Sequence, residues 1–258
     1  MVHNVHFKRP KNILAIETDS TLLGSRQGLA DFNLYMTKNT KNFALVYLTD
    51  RVFSKAWQLI TEENLFFPDV LITSMGTEIY MAPRFRPSQG WVNKMLLAWD
   101  SGKTQSVIEE AVGLLPQTIY SGYHLAYRAE TAHIDDTLLK MREAVEAVGL
   151  PVEVVTSADQ TILIIPQGTG KVPALCYIQE YYSVKPEQTF VCSGVNDDNI
   201  FSKGNKVIVV GKTQSTSKNT IKFNPKEVYY TKAYYASGIL EGLKKHGFAF
   251  VKNNSPNL

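Results

Sequence analysis

The chain has 258 residues, 44% of them hydrophobic, which is enough for one large domain or for a core that carries a smaller insert. Its formal net charge is +3, with Lys and Arg scattered rather than clustered, and this excludes an electrostatic footprint for nucleic acid or an anionic membrane. No window approaches the ~20 apolar residues of a membrane span, and the N-terminal MVHNVHFKRPK lacks the apolar stretch of a signal peptide, so a cytoplasmic protein is expected.

Read in chain order, the first strand is NILAIE, followed by a helical stretch to about Asn39, the strand FALVYL, a second helical stretch and the strand VLITS. This is the βαβαβ rhythm of a parallel sheet, and its strands are nearly all apolar, as strands with helices on both faces must be. From Pro83 the pattern changes. A Trp-bearing helix, a strand near HLAY, a helix from Ile134 to Val148 and the strands VEVVT and TILII read as an inserted α+β unit. Ile134, Leu138, Met141, Val145 and Val148 recur at spacings of three and four, a core stripe that ends at Gly149-Leu150-Pro151. The βα rhythm then returns with a helix from Lys171 through about Tyr182, the strands TFVC and KVIVV, and a helix near Ala236 to His246. Cys176 and Cys192 lie apart in apolar segments without metal-ligand spacing, so neither disulfide nor zinc is supported and both read as small core residues.

Ligands of open parallel sheets sit beyond the carboxyl ends of the strands, where loops and helix N-termini converge. Three such ends carry polar residues: Glu17-Thr18-Asp19-Ser20-Thr21, then Thr49-Asp50-Arg51, then Ser193-Gly194-Val195-Asn196-Asp197-Asp198. Lys171 adds a cation after Gly168-Thr169-Gly170. Carboxylates with hydroxyls, a lysine and helix N-termini suit a magnesium-bridged phosphate, whose oxygens need that positive charge.

The order of these pieces resembles the haloacid-dehalogenase-like phosphatases, and within them the sucrose-phosphate phosphatases and the phosphatase-like C-terminal region of sucrose-phosphate synthases. The resemblance covers about Asn12 to Phe248. It rests on ILAIETDSTLLG against an apolar run followed by Asp-x-Asp-x-Thr, on YLTDR against a Thr-Gly-Arg motif, and on TSMGTEIY, IIPQGTGK, TFVC with its acidic loop and YYASGILEGL. It implies an α/β fold, with a HAD-like Rossmannoid parallel-sheet core over residues 1–82 and 166–258 and a C2-type α+β cap over 83–165. In such enzymes the first Asp attacks phosphorus, and the second protonates the leaving sugar oxygen and then activates water. Carried over residue by residue, Asp19 matches the acid/base, Thr49 and Lys171 the phosphate-binding hydroxyl and lysine, and Arg51 a further phosphate or substrate contact. Glu17, Asp19 and Asp197 are the residues expected to hold magnesium.

The nucleophile position, however, holds Glu17. Its extra methylene displaces the attacking oxygen by roughly 1 Å, and in-line attack loses about 100-fold for an error of that size. The acidic loop lacks the Asp that follows Gly in the family, Asp50 replaces the Gly of Thr-Gly-Arg, and Val172 follows the lysine where Gly is usual. The expectation is therefore a degenerate site that binds a sugar phosphate, such as sucrose-6-phosphate, or a sucrose-phosphate synthase, with little or no turnover. The alternative is an active magnesium-dependent sugar phosphatase. The starting Met and the C-terminal helix point to a free-standing chain. Simpler readings stand beside these: Asp19, Ser20 and Thr21, or Asn196, Asp197 and Asp198, as helix caps; Trp91 and Trp99 as core rather than a sugar-stacking surface; His124 and Arg128 as solvent-facing rather than ligand-facing. GTGK lacks the spacing of a P-loop, and no GxGxxG follows the first strand.

Overall fold

The computed structural model describes residues 10–113, 122–156, 161–194, 204–211 and 228–248. Eleven strands and seven α-helices alternate along these residues. They are β1 (Asn12–Glu17), α1 (Arg26–Asn39), β2 (Phe43–Leu48), α2 (Phe53–Glu62), β3 (Val70–Thr73), β4 (Glu78–Met81), β5 (Arg86–Pro87), α3 (Gln89–Ala98) and α4 (Ser101–Val112), then β6 (Leu125–Tyr127), α5 (Ile134–Ala147), β7 (Val152–Thr156), β8 (Ile162–Pro166), α6 (Lys171–Tyr182), β9 (Thr189–Gly194), β10 (Lys206–Val210), β11 (Val228–Tyr230) and α7 (Tyr235–Lys245). Among them no helix is long and apolar enough to cross a membrane. Backbone contacts divide the chain into two compact units, one of residues 1–48, 57–71 and 175–258, the other of 49–56 and 72–174. The expected insertion, 83–165, lies wholly inside the second.

In the first unit the strand order is β11-β10-β9-β1-β2-β3. β1 pairs in parallel with β2 on one side, Ile13 opposite Ala44 and Glu17 opposite Leu48, and with β9 on the other, Ile16 opposite Cys192. The apolar runs that spelled these strands are buried throughout, β2 and β9 at every residue. α7 settles closely on β10 because its glycines remove the barrier of a side chain: a Cβ on Gly242 would stand 2.4 Å from Ile208. That is the physical content of the SGILEG spacing, two glycines four apart on one helical face. α1 is capped by Ser25, whose Oγ accepts from the Gly28 N–H at 3.1 Å. The reading of Asp19, Ser20 and Thr21 as the cap of this helix is therefore replaced.

In the second unit, β3 leads to β4, which pairs antiparallel with β5, and a separate sheet runs β6-β8-β7 with both pairs antiparallel. α5 lays Leu138, Met141 and Val145 on that sheet against Tyr127, Val154 and Ile164, an apolar core of its own. The predicted stripe is one residue too long, because Val148 follows the helix and is exposed. The single Trp-bearing helix is in fact two. Trp99 sits in extended backbone between α3 and α4, and Asp100 caps the second helix by accepting from the Lys103 N–H at 3.0 Å. Cys192 is buried in β9, where burial pushes its thiol well above the ordinary range, but Cys176 is exposed on α6, contrary to its expected place in the core.

Candidate active site

β1 delivers Glu17 at its last position and stops there, since the next five residues, Thr18–Leu22, form one turn of π-helix. Such wide turns are rare and gather at functional sites. Glu17 is buried, and its Oε2 accepts a hydrogen bond of 2.9 Å from the hydroxyl of Ser193 at the end of β9. The pairing of Ile16 with Cys192 puts these two side chains at neighbouring strand ends, so the register itself makes the contact. Asp19 is exposed on the π-turn, and its Oδ2 accepts from the Thr18 hydroxyl at 3.3 Å. Thr21 is fully buried, and its Oγ1 has no hydrogen-bond partner among the described residues.

The second unit holds the residues read as phosphate-binding. Thr49 is buried, its N–H donates to the Ile72 carbonyl at 3.0 Å and its Oγ1 accepts from the Arg51 N–H at 3.2 Å. The hydroxyl thus folds the Thr-Asp-Arg loop onto itself, and the Arg51 side chain is exposed. Lys171 opens α6 with only 8% of its side chain exposed, and its Nζ lies 2.7 Å from Oδ1 of Asp50, which is 33% exposed. Sequence reading singled out Asp50 as a departure from Gly, but not as the counter-ion of Lys171. Thr49, Asp50 and Arg51 thus form one loop, which meets Lys171 through Asp50. Glu17 and Asp19 gather Ser193 and Thr18 instead.

The remaining candidates separate. Trp91 is core: it is buried, its Nε1 donates to the Thr77 carbonyl at 3.1 Å, and Lys94 lies over its ring at 4.8 Å. Arg128 is exposed, whereas His124 is partly buried, its Nδ1 without a hydrogen-bond partner among the described residues. Asn196, Asp197 and Asp198 lie outside the described residues, so the expected metal ligand and the competing cap both fall there. Among the described residues no three His, Cys, Asp or Glu side chains gather as a metal cluster. Ser193 reads in the sequence only as the first residue of the polar segment after TFVC; its role as the partner of Glu17 does not, because it depends on β9 running on to Gly194 beside β1.

Residues 10–247 match the family described as sucrose-6F-phosphate phosphohydrolase. The chain belongs to that family. A probable sucrose-phosphatase 2 of Arabidopsis thaliana is 28% identical over 211 residues, 77% of this chain and 50% of the plant protein. The chain spans about half the length of the curated relatives it matches. Among solved structures, a sucrose-phosphatase from Synechocystis in complex with sucrose and phosphate superposes with a TM-score of 0.75 at 24% identity, covering 94% of this chain and 100% of that one. A haloacid dehalogenase-like hydrolase from Bacillus subtilis gives 0.66 at 17% identity, covering 92% of each. The fold of this sucrose-phosphatase family member is thus that of the HAD-like hydrolases, a parallel-sheet α/β core with an α+β cap.

Proposed function

We propose that this protein binds a sugar phosphate of the sucrose-6-phosphate type at a degenerate phosphatase site, with little or no turnover. The observation that carries the reading is the 2.7 Å ion pair of Lys171 with Asp50. A phosphate dianion needs the lysine's charge, and here a fixed carboxylate already uses it. An incoming phosphate must displace Asp50 or sit beside a like charge, and the loss falls most heavily on the transition state, where the lysine would stabilise charge developing on the phosphoryl and leaving oxygens. At the other strand end the Ser193 hydroxyl holds the carboxylate of Glu17 from the side chain's tip. A longer side chain with one oxygen so engaged is poorly placed for in-line attack.

Glu17 and Asp19 are hard oxygen donors two residues apart at the end of β1, and two carboxylates are the usual protein share of a magnesium site, the rest being water and phosphate oxygen. The donor chemistry therefore fits the ion in kind, with Asp197 as a further candidate by sequence. Magnesium, when bound, supplies charge neutralisation at the phosphoryl oxygens. Asp19, exposed at the turn, is the group that would hand a proton to the leaving sugar oxygen. Without turnover the chain acts as a binder in sucrose metabolism, in a cytoplasmic setting, of the sugar phosphate or of a sucrose-phosphate synthase that carries it.

The test is phosphate release from sucrose-6-phosphate with magnesium, alongside titration of the same ligand by calorimetry. Binding with no release above an Asp19→Asn control is the expected result, and Glu17→Asp alone restores little because Asp50 still occupies Lys171. Hydrolysis by the unmodified chain that disappears in Glu17→Gln overturns the reading in favour of an active phosphatase.

A further inference from the structure

The segment that delivers Lys171 is Gln167-Gly168-Thr169-Gly170, the link between β8 and α6. Its composition makes it loose. Gly168 and Gly170 stand at φ of 69° and 113°, conformations that glycine reaches readily, and each glycine raises the entropy that a fixed loop must give up. A lysine at the end of such a link keeps its place only if something outside the link ties it. Thr169 supplies a local tie, since it is buried and its hydroxyl donates to the Pro166 carbonyl at 2.6 Å. That bond closes the turn but does not fix where the turn sits.

Two side chains from other elements fix its seat. The Gly168 N–H donates to Oε1 of Glu153 on β7 at 2.9 Å, and the Gly168 carbonyl accepts from Nζ of Lys94 on α3, also at 2.9 Å. Both main-chain polar groups of one residue are thus taken by ionised side chains of opposite sign, each on the group whose bond its charge strengthens. Lys94 is itself directed. Its ammonium lies over the ring of Trp91, 4.8 Å from the centroid and three residues back on the same helical face, while Trp91 Nε1 donates to the Thr77 carbonyl. At Gly170 the link meets the Ser74-Met75-Gly76 turn, whose φ values are 52°, 58° and 89°. A Cβ on Gly76 would stand 2.4 Å from the Gly170 carbonyl oxygen and 2.5 Å from the Lys171 nitrogen. Ser74 in turn donates its N–H to the Arg51 carbonyl at 2.8 Å, next in the chain to Asp50. The link is therefore gripped at Gly168 and braced at Gly170, and Lys171 follows directly.

We infer that Lys94 and Glu153 are positioning residues for Lys171: by clamping Gly168 they fix the loop that sets the ammonium against Asp50 or a bound phosphate. The inference rests on the reading of Lys171 as the phosphate-binding cation. Both side chains act through the main chain of Gly168 and not by contact with the anion, and all of these residues lie in the second unit. Positioning and plain electrostatics make opposite predictions for Glu153. Removing a carboxylate near an anion site strengthens anion binding by charge alone, whereas losing half of the clamp weakens it.

Calorimetric titration with inorganic phosphate, and with sucrose-6-phosphate alongside, tests it on the unmodified chain, Lys94→Met, Glu153→Ala, Glu153→Gln and the double variant Lys94→Met with Glu153→Ala. Both side chains are exposed, thermal melting shows that each variant is folded, and should one fail the others carry the test. Lys94→Met and Glu153→Ala should each weaken phosphate binding about fivefold, the scale of one hydrogen bond. Glu153→Gln keeps the accepting oxygen and should bind as the unmodified chain does. The double variant should fall well short of the ~25-fold product, because both side chains act on one residue. Tighter binding in Glu153→Ala, a Glu153→Gln as weak as Glu153→Ala, a double variant that reaches the full product, or unchanged affinities each overturn the clamp. An unmodified chain that binds neither ligand overturns the sugar-phosphate reading instead, and amide exchange followed by nuclear magnetic resonance then decides the clamp. Lys94→Met should speed exchange at the Gly168 N–H, which Lys94 does not touch, and unchanged exchange there overturns the inference.

Discussion

At the end of β1 a buried carboxylate, Glu17, is met by the neutral hydroxyl of Ser193, whereas past the end of β2 a half-exposed carboxylate, Asp50, is met by the buried ammonium of Lys171. The first contact leaves the negative charge of Glu17 in place for a cation. The second cancels the positive charge that an anion would seek. The two strand ends thus treat a carboxylate in opposite ways: one leaves its charge uncompensated by a cation in this contact, the other balances it with an ammonium.

The largest effect expected from breaking this arrangement is at Gly76, on which the lysine end is braced. Gly76→Ala forces a Cβ into the Gly170 and Lys171 backbone at a φ of 89°, and urea denaturation should show a loss of about 2–4 kcal/mol. Next is Asp50→Asn, which leaves the ammonium of Lys171 short of its counter-ion. A loss of about 1–3 kcal/mol is expected in phosphate-free buffer, less than for a fully buried pair because Asp50 is 33% exposed. Added phosphate should restore most of it by binding the released lysine, so the melting temperature of this variant rises with phosphate more steeply than that of the unmodified chain. A flat phosphate response would separate the ion pair from phosphate recognition. Ser193→Ala comes third, at about 1–2 kcal/mol for the lost charge-assisted hydrogen bond, and its stability should not depend on phosphate.

The smallest effect is one of pH. His124 and His246 both have pKa values lowered from 6.5, His124 by burial against the opposing pull of Glu78, His246 by burial together with Lys206 and Lys245. The unfolded chain takes up protons below 6.5 that the folded imidazoles refuse. Their contribution is therefore fully present above 6.5 and is lost as pH falls through the lowered folded values. Urea midpoints measured downward from pH 7 should decline, and His246→Phe should flatten the part that belongs to the first unit.

Much of this was legible in the residues themselves. NILAIE, FALVYL and TFVC are strands because unbroken apolar runs of that length can be buried on both faces only in a parallel sheet. The stripe at Leu138, Met141 and Val145 gave α5 for the same reason of periodicity, and overran only where Val148 happens to be apolar and exposed. The helix shared by Trp91 and Trp99 failed because a break at two extended residues, Trp99 and Asp100, leaves hydrophobic spacing on either side almost undisturbed. The short strands β4, β5 and β11 carry too few residues to show a period at all.

The sequence by itself determined the fold class, the family and the polar strand ends, since these depend on local pattern and on motifs read along the chain. It also determined that position 17 is Glu and position 50 is Asp. Only the tertiary structure decided what those residues do. Ser193 is 176 positions from Glu17, and Lys171 is remote in the chain from Asp50, yet a hydrogen bond and an ion pair act over about 3 Å. Partners of that kind are chosen by register and by turns such as Ser74-Met75-Gly76, where only Gly76 announces a left-handed backbone in the sequence and Ser74 and Met75 do not.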